Sequence, residues 1–394
     1  MSSRQRARPS LAVRVLRFWS RRLILLQVAL FALVWVLYGS LQLRGHGSDY
    51  LARAGDFWLE RDPGRFATAP GLENVLVPFA AAGLAKLTNS LGIGFTDGMF
   101  VLLTIAPYPL FIYGVTRLVR HTGRSAVLAS ATSVALYTSG MIPYMASWGG
   151  YLDGMSYLLM LPVLLRPESL AVYSAAFVLQ CLNHYLGALA LVMLAFVWHS
   201  TKALEVVDGR QYWLKTVVPR ALISAVVLAG FIWFWDSRYP EASRVRQALV
   251  ESKWSDPAAV VEEVAGAFPW TLLSTLKLAI VPIVALMLAP HPRRPLRALT
   301  LALPFAVAAA LTFIFVDVTR VATMLVLPAL LVTVHAAASP ELPAGARRRL
   351  RRLIVATALL NLLIPNYYVN NGDIHVPPSQ VMRGAIESLL PAGQ

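Results

Sequence analysis

Long apolar stretches alternate with short clusters of arginine and lysine along this chain. The apolar stretches fall at roughly 23–43, 98–118, 125–144, 153–165, 169–182, 186–200, 219–236, 268–289, 298–315, 321–338 and 353–366. Several approach the ~20 residues that carry an α-helix across a ~30 Å hydrocarbon core. Two of them, 153–165 and 169–182, hold only 13 and 14 residues. At 1.5 Å per residue such helices reach about 20 Å, a length tolerated where their ends line a protein-walled cavity. The pattern predicts an all-α polytopic membrane protein, a single transmembrane domain over residues 1–394 with about 11 transmembrane helices.

The basic clusters orient the thread. Arg4–Arg22, Arg117–Arg124, Lys202–Arg220, Arg293–Arg297 and Arg347–Arg352 should all face the cytoplasm, because Lys and Arg in short loops are retained on that side. Residues 75–91 are apolar enough for a further helix, but counting them as a crossing would invert every later basic loop. They are therefore expected as a re-entrant or interfacial helix inside a first external loop, 44–97. The remaining segments are then a basic cytoplasmic N-terminus (1–22), an external loop (237–267) and an external C-terminal tail (367–394). The first apolar stretch is too long for a signal-peptide core and no small-residue cleavage site follows it, so it is expected to be an uncleaved helix. The location that fits is a bacterial inner (plasma) membrane, with the N-terminus cytoplasmic and the C-terminus extracytoplasmic.

Composition makes lipid the solvent: 57% of the residues are hydrophobic and 14% charged. The formal charge of +15 would suggest nucleic acid in a soluble chain, but here the bases sit in topological runs, and no nucleic-acid partner is expected. On the predicted threading the cytoplasmic side holds four acids, Glu168, Glu205, Asp208 and Glu341, and the other 16 lie outside. Many of those, as in Glu241–Glu263, read as ordinary solvated loop residues. Cys181 is the single cysteine, so the chain can form no internal disulfide and has no CxxC-type zinc site; a buried, inert thiol is expected. A GxxxxGK[ST] loop, a GxSxG elbow and an HExxH helix are all missing, which removes weight from ATP-driven transport, serine hydrolysis and zinc chemistry.

A few polar residues stand at helix ends instead of in open loops. Asp49, Arg53 and Asp56 share one face if their segment is helical, edged by Tyr50 and Trp58; this is either an interfacial amphipathic helix with a neutralised ion pair or a reactive polar face. Asp153 opens a short apolar helix after Ser147-Trp-Gly-Gly-Tyr-Leu. A carboxylate at mid-membrane costs about 2.5–3.5 kcal/mol on insertion scales, so it should face a cavity or a partner, or complement the helix dipole. Asn183, His184 and Tyr185 form a tight external turn, suited either to capping two helices or to holding a ligand. Asp317 and Arg320 make up a short external connection, either pairing with each other or leaving the arginine fork for a lipid phosphate. The tail around Tyr367 and Tyr368 carries stacking and hydrogen-bonding groups of the kind that hold sugars. Asp49, Asp56 and Asp153 also leave room for a divalent cation, although no metal ligand set is identified.

An arginine-rich start, one span, then an external loop with Asp49, Asp56 and a re-entrant apolar segment resemble the GT-C superfamily of integral membrane glycosyltransferases. The resemblance implies a GT-C-like fold, a polyprenyl-phosphate-linked sugar donor, and a glycan, lipid or protein acceptor in the cell envelope. It implies Asp49 as catalytic base, with Asp56 as second choice, and gives Asp153 a placement similar to further acidic residues of such sites. The chemistry is coherent with the residues. A positioned carboxylate accepting the acceptor hydroxyl's proton contributes on the order of 10²–10⁴-fold. The departing phosphate needs no general acid, and a cation such as Arg320 stabilises its charge, as suits an inverting displacement. Three other readings stand beside it: a polysaccharide polymerase or ligase with a lipid-diphosphate donor, a lipid-linked sugar transporter or flippase, and a non-catalytic membrane partner. A transporter should show internal repeats and midplane charges, and no convincing repeat is present.

Overall fold

The computed structural model describes residues 22–38, 49–52, 74–141, 151–238, 240, 251, 254–313, 318–364, 368–370 and 373–375. Each of the eleven predicted apolar stretches coincides with helix. They are covered by α1 (Leu23–Tyr38), α3 (Asp97–Ile105) continuing into α4 (Pro107–Gly123), α5 (Ala126–Tyr137), α6 (Asp153–Leu165), α7 (Leu170–Asn183) and α8 (Tyr185–Glu205). The rest are covered by α9 (Gly209–Arg238), α10 (Pro257–Leu276) with α11 (Ile280–Leu288), α12 (Arg294–Thr312), α13 (Val318–Ala338) and α14 (Ala344–Asn361). The expected re-entrant or interfacial segment is also a helix, α2 (Leu76–Ser90), in order between α1 and α3. Among the described residues, six helical stretches are long and apolar enough to cross a bilayer, so the chain is an all-α integral membrane protein in architecture.

Local chemistry sets several of the boundaries. Ser125, Ser169 and Asp256 accept hydrogen bonds from Leu128, Val172 and Ala259 amides and so cap α5, α7 and α10. Lys277 breaks α10 from α11 with φ of 49°, in a short 3-10 turn. Several boundaries differ from the sequence reading: α10, for one, begins at Pro257, inside the expected external loop 237–267. The stretch expected to begin at 219 starts ten residues earlier, because the basic segment before it is helix and not loop. Arg220, expected in the basic loop, is buried at 3% exposure, its guanidinium donating to the Thr216 and Pro167 carbonyls. The tail departs from the all-α expectation by a small hairpin of β1 (Tyr368–Asn370) and β2 (Asp373–His375), antiparallel with Tyr368 opposite His375. Its connecting residues in the sequence are Asn371-Gly372, the dipeptide favoured in two-residue hairpin turns.

The bundle is organised around α13, which touches α4, α8, α10, α11, α12 and α14. Lipid gives no hydrophobic drive between helices, so close approach and interhelical hydrogen bonds do the joining. Gly140 sits where a Cβ would fall 2.3 Å from Thr323 Oγ1. Thr319 and Ser274 share a hydroxyl–hydroxyl bond of 2.7 Å, and Ser133 joins Thr116 and Gln27. Cys181 is buried in this core, as expected.

Successive helices run back and forth, and among the described residues the four later basic segments gather at one end. There Lys202 meets Glu168, Arg293 reaches the Ala203 carbonyl, and Gly123 lies against Ala338 near the arginines of α14. Asp153, Asn183, His184 and Arg320 meet at the other end. A second, smaller core closes that end: Tyr50, Val77, Ala81 and Ala82 pack with Phe100 and Leu152. The segment before α2 is pinned to it, Val75 N–H donating to the Leu182 carbonyl at 2.8 Å.

Candidate functional site

Three residues far apart in sequence meet where α6, α8 and α13 begin. Asp153 is the first residue of α6 and 2% exposed; Arg320 lies in the first turn of α13; His184 is the single residue between α7 and α8. Arg320 Nε lies 3.2 Å from Asp153 Oδ2, and its guanidinium sits 5.1 Å from the centre of the Tyr151 ring. The ion pair offsets the cost of burying Asp153, and the tyrosine face adds a cation–π contact. Arg320 therefore pairs with Asp153 across the bundle. Its sequence neighbour Asp317 lies outside the described residues.

Close packing makes this approach possible. A Cβ on Gly154 would fall 2.5 Å from the Thr104 carbonyl oxygen, and one on Gly187 would fall 2.4 Å from Ser156 Oγ. Only glycine lets the start of α6 and the start of α8 come this near their neighbours. Asn183 is fully buried and spends its amide on the Leu152 carbonyl (3.1 Å) and Ser156 Oγ (2.8 Å). Gln180 donates to the Ser156 carbonyl at 2.7 Å. Asn183, expected among the ligand-binding residues, thus holds the first turn of α6 in place.

His184 carries an electrostatic tension. Its Nδ1 accepts the Leu186 N–H at 3.1 Å, capping α8. Burial, then the charge of Arg320, lowers its pKa well below the usual imidazole range, so the ring is neutral. Its second nitrogen, Nε2, is turned to α13 and lies 3.2 Å from Arg320 Nη2. A guanidinium and an imidazole are thereby brought to one place beside the buried carboxylate of Asp153. Tyr185, next in sequence, turns instead toward α9, its ring edge-on to Phe231 at 5.8 Å.

The other predicted residues stand as follows. Asp49 is exposed in a short helical piece, 49–52, whose Tyr50 is buried in the small core beside Leu152, the neighbour of Asp153. This brings the first-loop segment to the same end of the bundle as the cluster. Asp56 and Tyr367 lie outside the described residues, and Tyr368 is placed by its backbone in β1, which packs on α10 and α13. Among the described residues no group of three or more His, Cys, Asp or Glu is arranged to hold a metal ion.

Sequence reading missed Tyr151, Ser156, Gln180 and Lys277. Lys277 had a legible signal, being the lone charge in the stretch 268–289. It is 2% exposed and donates to the Ile364 and Asn361 carbonyls at 2.6 and 3.5 Å, while Asn361 Oδ1 accepts from Leu278 N–H. The Lys277 amine thus supplies a donor to carbonyls at the C-terminal end of α14, where a helix runs out of backbone donors. No family model, no curated protein and no solved structure matches this chain.

Proposed function

We propose that this protein is a membrane glycosyltransferase that moves a sugar from a polyprenyl-phosphate donor to an acceptor hydroxyl at the end of the bundle opposite the basic segments. The observation that carries the reading is the largely buried guanidinium of Arg320, held beside His184 and the buried carboxylate of Asp153. A guanidinium fixed in this way suits a phosphate oxygen, and Asp153 holds it in place. Asp153 is then a positioning residue, its charge already committed to Arg320. The proton acceptor is a first-loop carboxylate, Asp49 or Asp56.

In the reaction the acceptor oxygen bonds to the anomeric carbon as the bond from that carbon to the phosphate oxygen breaks. The hydroxyl proton passes to the carboxylate, and the lipid phosphate leaves with the bonding electron pair, its charge met by Arg320. One displacement inverts the anomeric centre. With the basic end in the cytoplasm, as the basic segments favour, this chemistry falls on the extracytoplasmic face, in keeping with a donor carried by a membrane lipid.

The test is transfer from a polyprenyl-phosphate sugar in detergent. Asp49→Asn or Asp56→Asn should lower kcat by on the order of 10²–10⁴, and Arg320→Gln should remove activity together with retention of the lipid phosphate. Full activity in both aspartate variants would overturn the assignment of the base. A periplasm-active reporter fused after Gln394 should be active, and silence there would overturn the orientation.

A further inference from the structure

The end of the bundle that holds the basic segments carries a cavity, unrelated to the proposed reaction. It lies between α8, the start of α9 and α12, and has a volume of about 810 Å³, inside the range of about 300–1,000 Å³ typical of ligand pockets. Phe196, Leu204, Leu296, Leu299 and Leu303 make its walls. Leu296 and Leu299 are 54% and 67% exposed, so the groove opens sideways, toward the hydrocarbon that surrounds a bundle of this kind. The rim has a different chemistry. Arg210 and Arg293 flank it against one acid, Asp208, and the first turn of α9, Gly209 to Gln211, lines it as well. Backbone amides of a first helical turn have no acceptor within the helix and favour an anion. Trp213 lines the same rim with its indole nitrogen bonded to Ser200 Oγ at 2.9 Å, in the manner of residues at headgroup depth.

We infer that this groove is a binding site for an anionic phospholipid, one acyl chain lying along α8 and α12 and the headgroup phosphate held by Arg210, Arg293 and the α9 amides. A free phosphate does not suit it, since most of the lining is apolar. A zwitterionic lipid fills the groove but brings a cation to a rim that is already positive.

The test uses the full chain in detergent, titrated with dioleoyl phosphatidylglycerol and with dioleoyl phosphatidylcholine while bound lipid is counted by native mass spectrometry. The glycerol lipid should be retained about 30-fold more strongly, two arginines each contributing about 1 kcal/mol. The double variant Arg210→Gln/Arg293→Gln should bring the ratio near one, and Arg120→Gln/Arg124→Gln, at the same end but away from the groove, should leave it unchanged. Leu299→Trp, which fills the groove, should weaken both lipids. Equal retention of the two lipids, loss of preference in the Arg120/Arg124 control, or displacement of phosphatidylglycerol by inorganic phosphate would each overturn the site. Transfer activity does not enter this readout, so its outcome is separate from that of the proposed reaction.

Discussion

Two ion pairs join helices at opposite ends of the bundle, and they differ in almost everything but charge. Asp153 and Arg320 are 2% and 14% exposed and bring α6 to α13. Glu168 and Lys202 are 50% and 39% exposed, 2.6 Å apart, and tie the α6–α7 turn to α8 with Tyr212 as a further donor. An exposed pair is worth about 0–1 kcal/mol and serves as a surface clasp. A buried pair gains little over apolar packing, yet breaking it leaves an uncompensated charge. In the proposed reaction the fixed guanidinium of Arg320 is the group that meets the lipid phosphate, with Asp153 as its positioning partner.

The sharpest way to break the comparison is to remove one partner at each end. Asp153→Ala leaves Arg320 buried without its carboxylate and should destabilise the protein by about 3–5 kcal/mol, read from denaturant unfolding in detergent. Adding Arg320→Gln to Asp153→Asn should cost less than the sum of the two single changes, and strict additivity would show that the two side chains are not coupled. Next in size is Gly187→Val, which drives a side chain into Ser156 and Gln180. A loss of about 1–3 kcal/mol is expected, with transfer activity falling further than stability because the α8 start carries His184.

Lys202→Met should be the smallest, under about 1 kcal/mol and fading with added salt. Partial burial pushes the Glu168 carboxyl up, but the hydrogen bond and charge of Lys202, with Tyr212, more than offset this and hold it below its usual range. Because the folded-state pKa is lowered, the clasp contributes at neutral pH and is lost as acid protonates Glu168 below the ordinary carboxylate value. A melting temperature that fell for Lys202→Met as far as for Asp153→Ala would erase the distinction between the two ends.

The gathering of the later basic clusters was legible without coordinates. Arg117–Arg124, Lys202, Arg293 and Arg347–Arg351 lie at one end, as expected of clusters retained on one side of a bilayer. Asp153, His184 and Arg320 were each visible as polar residues at helix ends. Their convergence was not, since His184 and Arg320 are 136 positions apart and no local rule links them. Asn183 meets a related limit: a polar residue in a turn looks the same in sequence whether it faces a ligand or, as its Nδ2 does here, the backbone of a neighbouring helix. Lys277 went unread because its partners, carbonyls at the end of α14, belong to the backbone and leave no mark in the side-chain sequence.

Two helices show where the sequence stops. α9 and α13 contain equally apolar stretches, yet 94% of the stretch in α13 is buried and 17% of that in α9. Hydropathy reports that both prefer to leave water; it does not distinguish protein from lipid, because the bilayer interior is as apolar as the protein core. The amino-acid pattern by itself determined that this is a helical membrane protein, and it placed the basic clusters together. Which helix became the hub, which face met lipid, and which charge met which were decided by close packing at positions such as Gly140 and Gly187. Those contacts depend on backbone distances between helices, a property of the assembled bundle and not of any one segment.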